Sequence, residues 1–441
     1  MHRVAHLAPG QWRTNGEARR RLPDARVPDR PRTTATSRTR AATGSFPPLP
    51  GYRAILRTRR IATSRAAPVS VHRRGVTLQT YPVRRALNAV AATLALTGAL
   101  LAQPAFAADT VTVALAIPPT VTDGGIWSIG NELGIWKKEN LDVRTLTFDG
   151  AGALVPQVAS GHVTIGLPVV DPILASYAAG RTDLPVRYFY NATPAYTMEF
   201  AVLAGSPIKT LADLKGKKIG VGALTWGTIP STRAVLREAG LAQGDYDILP
   251  VGVLGPGFHA LITGQIDALN YNSSWHDMLE LSGTPLRRIV YPGIFGQMNA
   301  NGFIANTAAL QANPGLYARF GRAYTEAQVA CAANVQLCVE SFWRQHPEAK
   351  PTAGDPATNL KNAEELVQRR LARVMFDPSG HERTPGEFDL AIIRQFVARM
   401  AADGEFASTR VPVDALFTNE LVPQFRQFDE NAIRAEARAA H

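Results

Sequence analysis

The sequence predicts an α/β protein of two lobes with a helix-rich C-terminal region. Three observations carry that expectation. Short β-branched or alternating stretches take turns with helical ones through residues 111–190, and a second series of the same kind runs through 211–272. Two further strand-like stretches, MEFAVLAG (198–205) and NGFIANT (301–307), bracket the second series. Beyond about residue 307 the strand signal gives way to amphipathic runs at 315–345, 359–374 and 387–403. Strands alternating with helices are the signature of parallel sheets covered by helices.

In the first series, VTVALAI (111–117) is apolar and β-branched, SIGNELGIWKKEN (128–140) has helical spacing, and LDVRTLTF (141–148) alternates. The turn DGAG (149–152) opens the helix ALVPQVASG. VTIGL (163–167) is a strand, DPILASYAAG (171–180) a helix closed by Gly180, and VRYFY (186–190) a strand. In the second series, LADLKG (211–216) reads as a short helix and KKIGVG (217–222) as a strand. STRAVLREAG (231–240) is a helix with a glycine stop, DYDILPV (245–251) a strand, PGFHALITGQ (256–265) a helix and IDALNYN (266–272) a strand. If 198–205 and 301–307 lie side by side, the chain enters the second lobe through one and returns through the other. Expected boundaries are then 108–200 for the first part of lobe one, 201–302 for lobe two and 303–441 for the rest.

The N-terminal quarter is of another kind. RRALNAVAATLALTGALLAQPAFAA (84–108) has two arginines, an apolar core and an Ala-Phe-Ala cleavage pattern, the layout of a secretory signal at 84–107, cut after Ala107. Its core, residues 86–101, is shorter than the roughly 20 apolar residues of a membrane span. Residues 1–83, rich in Arg and Pro, cannot bury enough apolar surface to fold; they read as a disordered leader or as sequence upstream of the true translation start. The net charge of +11 comes from this leader: residues 1–85 hold 19 Arg and three acids, +16, leaving 28 bases and 33 acids, −5, for residues 109–441. The basic balance therefore points to no nucleic-acid partner for the remainder. Its two cysteines, Cys331 and Cys338, fall in one helical run, where seven residues rise about 10 Å. That spacing predicts two buried thiols and no disulfide.

LGIWKKENLDVRTLTFDGAGALVPQVASGHVTIGL, LADLKGKKIGV and HALITGQIDAL, in this order between about 133 and 269, resemble the solute-binding proteins of the nitrate/sulfonate/taurine (NitT/TauT, SsuA/THI5-like) class, grouped with the NMT1/THI5-like proteins. His162-Val163-Thr164 departs from the Glu/Gln-Val-Asp usual there. The resemblance implies a type II periplasmic-binding-protein fold: two lobes, a two-strand hinge and a cleft that closes on ligand. It also implies a periplasmic, monomeric binding component of an ABC importer, delivering a sulfonate-, nitrate- or taurine-like anion, or an aromatic, pyrimidine-like solute, to a separate permease and ATPase.

Candidate ligand-binding residues are those that follow the strands: Trp127, Gly150, Ala151, Gly152, Pro168, Val169, Asp171, Tyr190 and Asn191 in lobe one, and Thr225, Trp226, Gly227, Thr228, Tyr271, Asn272 and Trp275 in lobe two. The glycines and Thr228 would let an anion approach helix N-termini, or they are ordinary turns and caps. The tryptophans and Tyr271 would sandwich a flat solute, or pack against their own lobe. Asp171, before Pro172 at a helix start, reads as a cap; facing the cleft it would favour an amine. No metal-ligand spacing, cofactor motif or catalytic triad stands out. Two other functions stay open: an enzyme like thiamin-pyrimidine synthases, which use clustered cysteines and a histidine, and a sensing module that docks on a membrane receptor.

Overall fold

The computed structural model describes residues 107–181 and 183–440. The leader and nearly all of the signal segment lie outside them. In chain order, β1 (Asp109–Leu115) leads to α1 (Val121–Glu132) and α2 (Ile135–Lys138), which are parted at Gly134 with φ +63°. Next come β2 (Leu141–Thr147), α3 (Ala151–Ala159), β3 (Ile165–Leu167), α4 (Asp171–Ala178) and β4 (Val186–Thr193). The second series comprises β5 (Met198–Leu203), β6 (Lys218–Val221), α5 (Ile229–Glu238), β7 (Asp247–Pro250), α6 (Gly255–Ile262), β8 (Ala268–Asn272), α7 (Ser273–Leu281), β9 (Leu286–Val290) and α8 (Gly293–Gln297). Then follow β10 (Asn301–Asn306), α9 (Thr307–Ala312), α10 (Pro314–Ala333), α11 (Val335–Gln345), α12 (Pro356–Met375), α13 (Leu390–Ala402), α14 (Val413–Leu416) and α15 (Glu430–Ala439). The predicted helix at 211–216 is only a 3₁₀ turn, Ala212–Leu214.

Two five-stranded sheets share one plan: β2-β1-β3-β10-β4 and β7-β6-β8-β5-β9. In each, three strands run parallel, and the fourth position holds an antiparallel strand that came from the other lobe. This corrects one expectation. Residues 198–205 and 301–307 are not paired with each other, because β5 lies in the second sheet and β10 in the first. Each strand pairs on both sides within its own sheet, which satisfies its buried N–H and C=O groups as mutual pairing of the two alone would not. The crossovers are instead 194–197 and 291–300. They adjoin where the Ala300 N–H donates to the Thr193 carbonyl, 3.0 Å being typical and 2.9 Å found here, and where the Tyr196 and Tyr291 rings stack at 5.5 Å.

The C-terminal helices pack on both lobes. In α1, Gly124 and Gly125 bring α11 close, since a Cβ at either would collide with Phe342 or Cys338. Cys331 and Cys338 are disulfide-bonded, against expectation. The helical run breaks at Asn334 (φ −144°, ψ 84°), whose side chain accepts from the Leu337 N–H to cap α11, and the break brings the two Cα atoms to 5.1 Å. Among the described residues no helix is long and apolar enough to cross a membrane.

Candidate functional site

The C-terminal ends of the parallel strands of both sheets open toward one seam, where ligands of open α/β sheets sit. Asp171 starts α4 on the first lobe and is 1% exposed. It does not cap the helix: Val170 is the N-cap and has no side-chain bond. The Asp171 carboxylate instead reaches across the seam. Its Oδ1 accepts from the Ser231 hydroxyl of α5 and, at 3.1 Å, from the Tyr196 hydroxyl of the first crossover. Its Oδ2 is buried without a partner. Burial pushes this carboxyl up to about 6, although the bonds from Ser231 and Tyr196 pull the other way.

Around it the lobes touch. A Cβ on Gly227 would collide with Pro172 and press on Val169 at 3.2 Å, so the lobe-two loop needs a glycine to lie against α4. Thr228 precedes α5, and one turn on the Thr232 hydroxyl lies 2.9 Å from the Tyr291 hydroxyl and donates to Asn270 Oδ1 at 3.1 Å. Three more side-chain atoms on elements that border the seam are buried without partners: Thr228 Oγ1, Ser273 Oγ at the start of α7, and Asn299 Nδ2 in the second crossover. Buried polar groups are normally satisfied, so four such atoms gathered along one seam single it out as the candidate site.

The other expected residues are distributed as follows. Trp226, part-buried, lies 5.7 Å from Tyr271 and 6.0 Å from Trp275. Tyr271 and Trp275 are themselves buried, the Tyr271 hydroxyl donating to the Gly252 carbonyl, so they support Trp226 from behind. Asn272 caps α7 by accepting from the Trp275 N–H at 3.1 Å. Thr225 is exposed, whereas Pro168 is buried and Val169 part-buried. Gly150, Ala151 and Gly152 begin α3 beside the edge strand β2, and a Cβ at either glycine meets open space.

Three residues are elsewhere. Trp127 is inside lobe one, against Trp136 (5.7 Å) and Tyr324 (5.2 Å), because α1 begins at Val121 and turns this position onto α10. Tyr190 and Asn191 lie on β4, the far edge of the first sheet. Tyr190 is within hydrogen-bonding distance of Thr325, 3.0 Å, and both residues line a small pocket with Gln328, Arg383 and Arg426. Ser231, Tyr196, Tyr291 and Asn299 escaped the sequence reading. Ser231 alone left a trace, three residues after Thr228 and so on the same helical face.

Among the described residues no cluster of three or more His, Cys, Asp or Glu could hold a metal ion. His276 is buried with Nδ1 3.0 Å from Glu199, within lobe two.

Residues 126–336 match the family model described as NMT1/THI5 like. A relative in Brucella abortus (strain 2308), named “Putative binding protein”, is 26% identical over 316 residues, covering 68% of this chain and 91% of its own. A solved structure from Bordetella bronchiseptica RB50 is 24% identical with a TM-score of 0.54, over 72% of this chain and 97% of the other. The alkanesulfonate-binding protein SsuA from Xanthomonas axonopodis pv. citri, bound to MOPS, is 16% identical with a TM-score of 0.51, over 70% and 98%. This chain thus carries an NMT1/THI5-like domain on the two-lobed periplasmic-binding-protein fold.

Proposed function

We propose that the protein is the periplasmic solute-binding component of an ABC importer, which closes its lobes on a small solute and hands it to a membrane permease and ATPase without transforming it. The observation that carries this is the seam at Asp171. A buried carboxylate, bonded to the opposite lobe, is ringed by elements bearing three more unsatisfied polar atoms. Lobes swing together when a ligand touches both faces better in the closed form. The relatives support a binding role, and the segment before Ala108 supports export. The enzyme alternative finds little support: the only two cysteines, of the whole chain as of the described part, are joined to each other far along the helical region.

Trp226, part-buried on the lobe-two rim, is the residue best placed to report binding. The wild-type protein, screened by thermal shift against small sulfonates, carboxylates, amines and pyrimidines, should melt higher with its solute by mass action. Trp226→Ala should abolish the ligand-induced fluorescence change and weaken binding about tenfold, the value of one lost aromatic contact. An unchanged titration removes Trp226 from the site, and no stabilisation by any solute class removes the function.

A further inference from the structure

On that reading of the seam as a solute site, we infer that its solute is not a permanent anion but presents an N–H group, neutral or cationic, to Asp171. The Oδ2 atom is an acceptor, buried and without a partner, beside an Oδ1 already held by Ser231 and Tyr196. An N–H group on the solute completes it. A sulfonate or carboxylate oxygen in the same place would meet a like charge.

The surroundings supply little to offset that repulsion. The segments that open on the seam, 116–120, 148–150, 168–170, 194–197, 222–228, 251–254 and 291–300, contain no Lys, Arg or His. The nearby base Arg370 is already engaged, donating to Asp123 at 3.0 Å and to the Thr193 hydroxyl at 2.9 Å. Helix N-termini could bind an anion without any base, but three of them are answered by the chain itself. α1 carries Asp123 in its first turn, α4 begins with Asp171, and α7 is capped by Asn272. The three left, of eight residues or more, are α3, two residues after Asp149, α5 and α6.

Magnitudes decide between these effects. A helix N-terminus improves anion binding by about two- to fivefold. A like charge at about 4 Å, at the effective dielectric of a protein surface, costs on the order of 1,000-fold, and an Asp171 that takes up its proton to receive the anion, from a value of about 6, still costs roughly 30-fold at pH 7.5. Three free helix ends do not balance the ionised carboxylate and at most offset the cost of protonating it, whereas a solute N–H meets the unpartnered Oδ2 with neither cost.

Ring-matched probes separate the alternatives. Benzylamine and benzamidine, against benzenesulfonate and benzoate, are titrated into the full-length protein by calorimetry and thermal shift at pH 7.5. The cations should bind at least tenfold more tightly than the anions. Asp171→Asn should lose at least tenfold in affinity for the cations while still melting cooperatively.

A pH series on the wild type serves if that variant does not fold. Cation affinity should fall between pH 7.5 and pH 5 as Asp171 takes up its proton near 6. The other ionisable groups facing it, Tyr188, Tyr196 and Tyr291, are pushed above their ordinary range by burial and stay neutral over this interval. Tighter binding of the sulfonate or benzoate overturns the inference and leaves the importer reading standing. Cation affinity that is flat with pH removes Asp171 from recognition. Binding by none of the four counts against both.

Discussion

Replacing Asp277 by Asn should loosen the grip of the C-terminal region on lobe two. Asp277 lies on α7 and is 1% exposed. Its carboxylate accepts from Arg373 at 2.6 and 3.0 Å and from Arg369 at 3.2 Å, both on α12, and from Arg288 of β9 at 2.9 Å. Between those two α12 positions, Arg370 holds Asp123 of lobe one. One helix therefore ties both lobes through three arginines. Burial alone would raise the Asp277 carboxyl, but Arg373, Arg288 and Arg369 outweigh it and hold the group below its ordinary 3.8. Removing one member of a buried ion pair costs about 3–5 kcal/mol. Arg369 and Arg373 keep about a third of their side-chain surface in water, 34% each, so the low end, about 3 kcal/mol, applies. At roughly 2 °C per kcal/mol for a protein of this size, the melting temperature should fall by about 6 °C. If about 2 kcal/mol of that loss belongs to the two contacts from α12, the closed arrangement is disfavoured about 30-fold relative to an open one. Thermal denaturation reads the first effect, and spin-label distances between the lobes read the second. Wild-type acid unfolding adds a sign: this contribution is present above the unfolded pKa and is lost as pH falls through the lowered folded value. An Asp277→Asn protein that melts like the wild type, with the same distance distribution, would refute the argument.

Asp171 acts in the opposite sense on pH. Its folded value is raised from 3.8 to about 6, so its favourable contribution is full below the unfolded pKa and is lost as pH rises through about 6, a change of roughly 3 kcal/mol. Urea titrations at pH 4 and pH 7 should show this decline in the wild type and its absence in Asp171→Asn; parallel pH profiles would count against it. Gly227→Ala places a methyl group against Pro172 and Val169 across the seam. It should leave the melting of each lobe nearly intact yet hold the lobes apart, which small-angle scattering would detect as a larger radius of gyration; an unchanged radius defeats the close-approach reading. Opening the Cys331–Cys338 disulfide with a double Cys→Ser change should cost about 2.5 kcal/mol by chain entropy. Denaturant titration measures it, and no change would mean that the Asn334 break holds the two helices by itself.

The βα rhythm was legible because it is local. Strands such as Val111–Leu115 and Lys218–Val221 are short apolar runs bounded by turns, and helices such as 231–240 carry their own spacing and glycine stop. The lobe-two rim was legible for a related reason: Trp226, Gly227 and Thr228 follow a strand and precede a helix, and in such folds that place faces the crevice. Trp127 met the same rule and failed it, because the helix began seven residues earlier than its periodicity indicated and the ring turned onto α10. The cysteines misled because a helical pattern continued straight through Asn334, where the backbone did not.

The chain's local chemistry alone determined most of the strands and helices of the two βα series and which loops would follow strand ends, since each of these depends on residues within a turn or two of one another. Only the tertiary structure decided that β5 and β10 part into different sheets, that Asp171 turns from its own helix to Ser231, and that Asp277 meets arginines some 90 residues distant. Those outcomes depend on which partner can satisfy a buried peptide group or charge once the lobes are packed, and candidates for that partner lie all along the sequence.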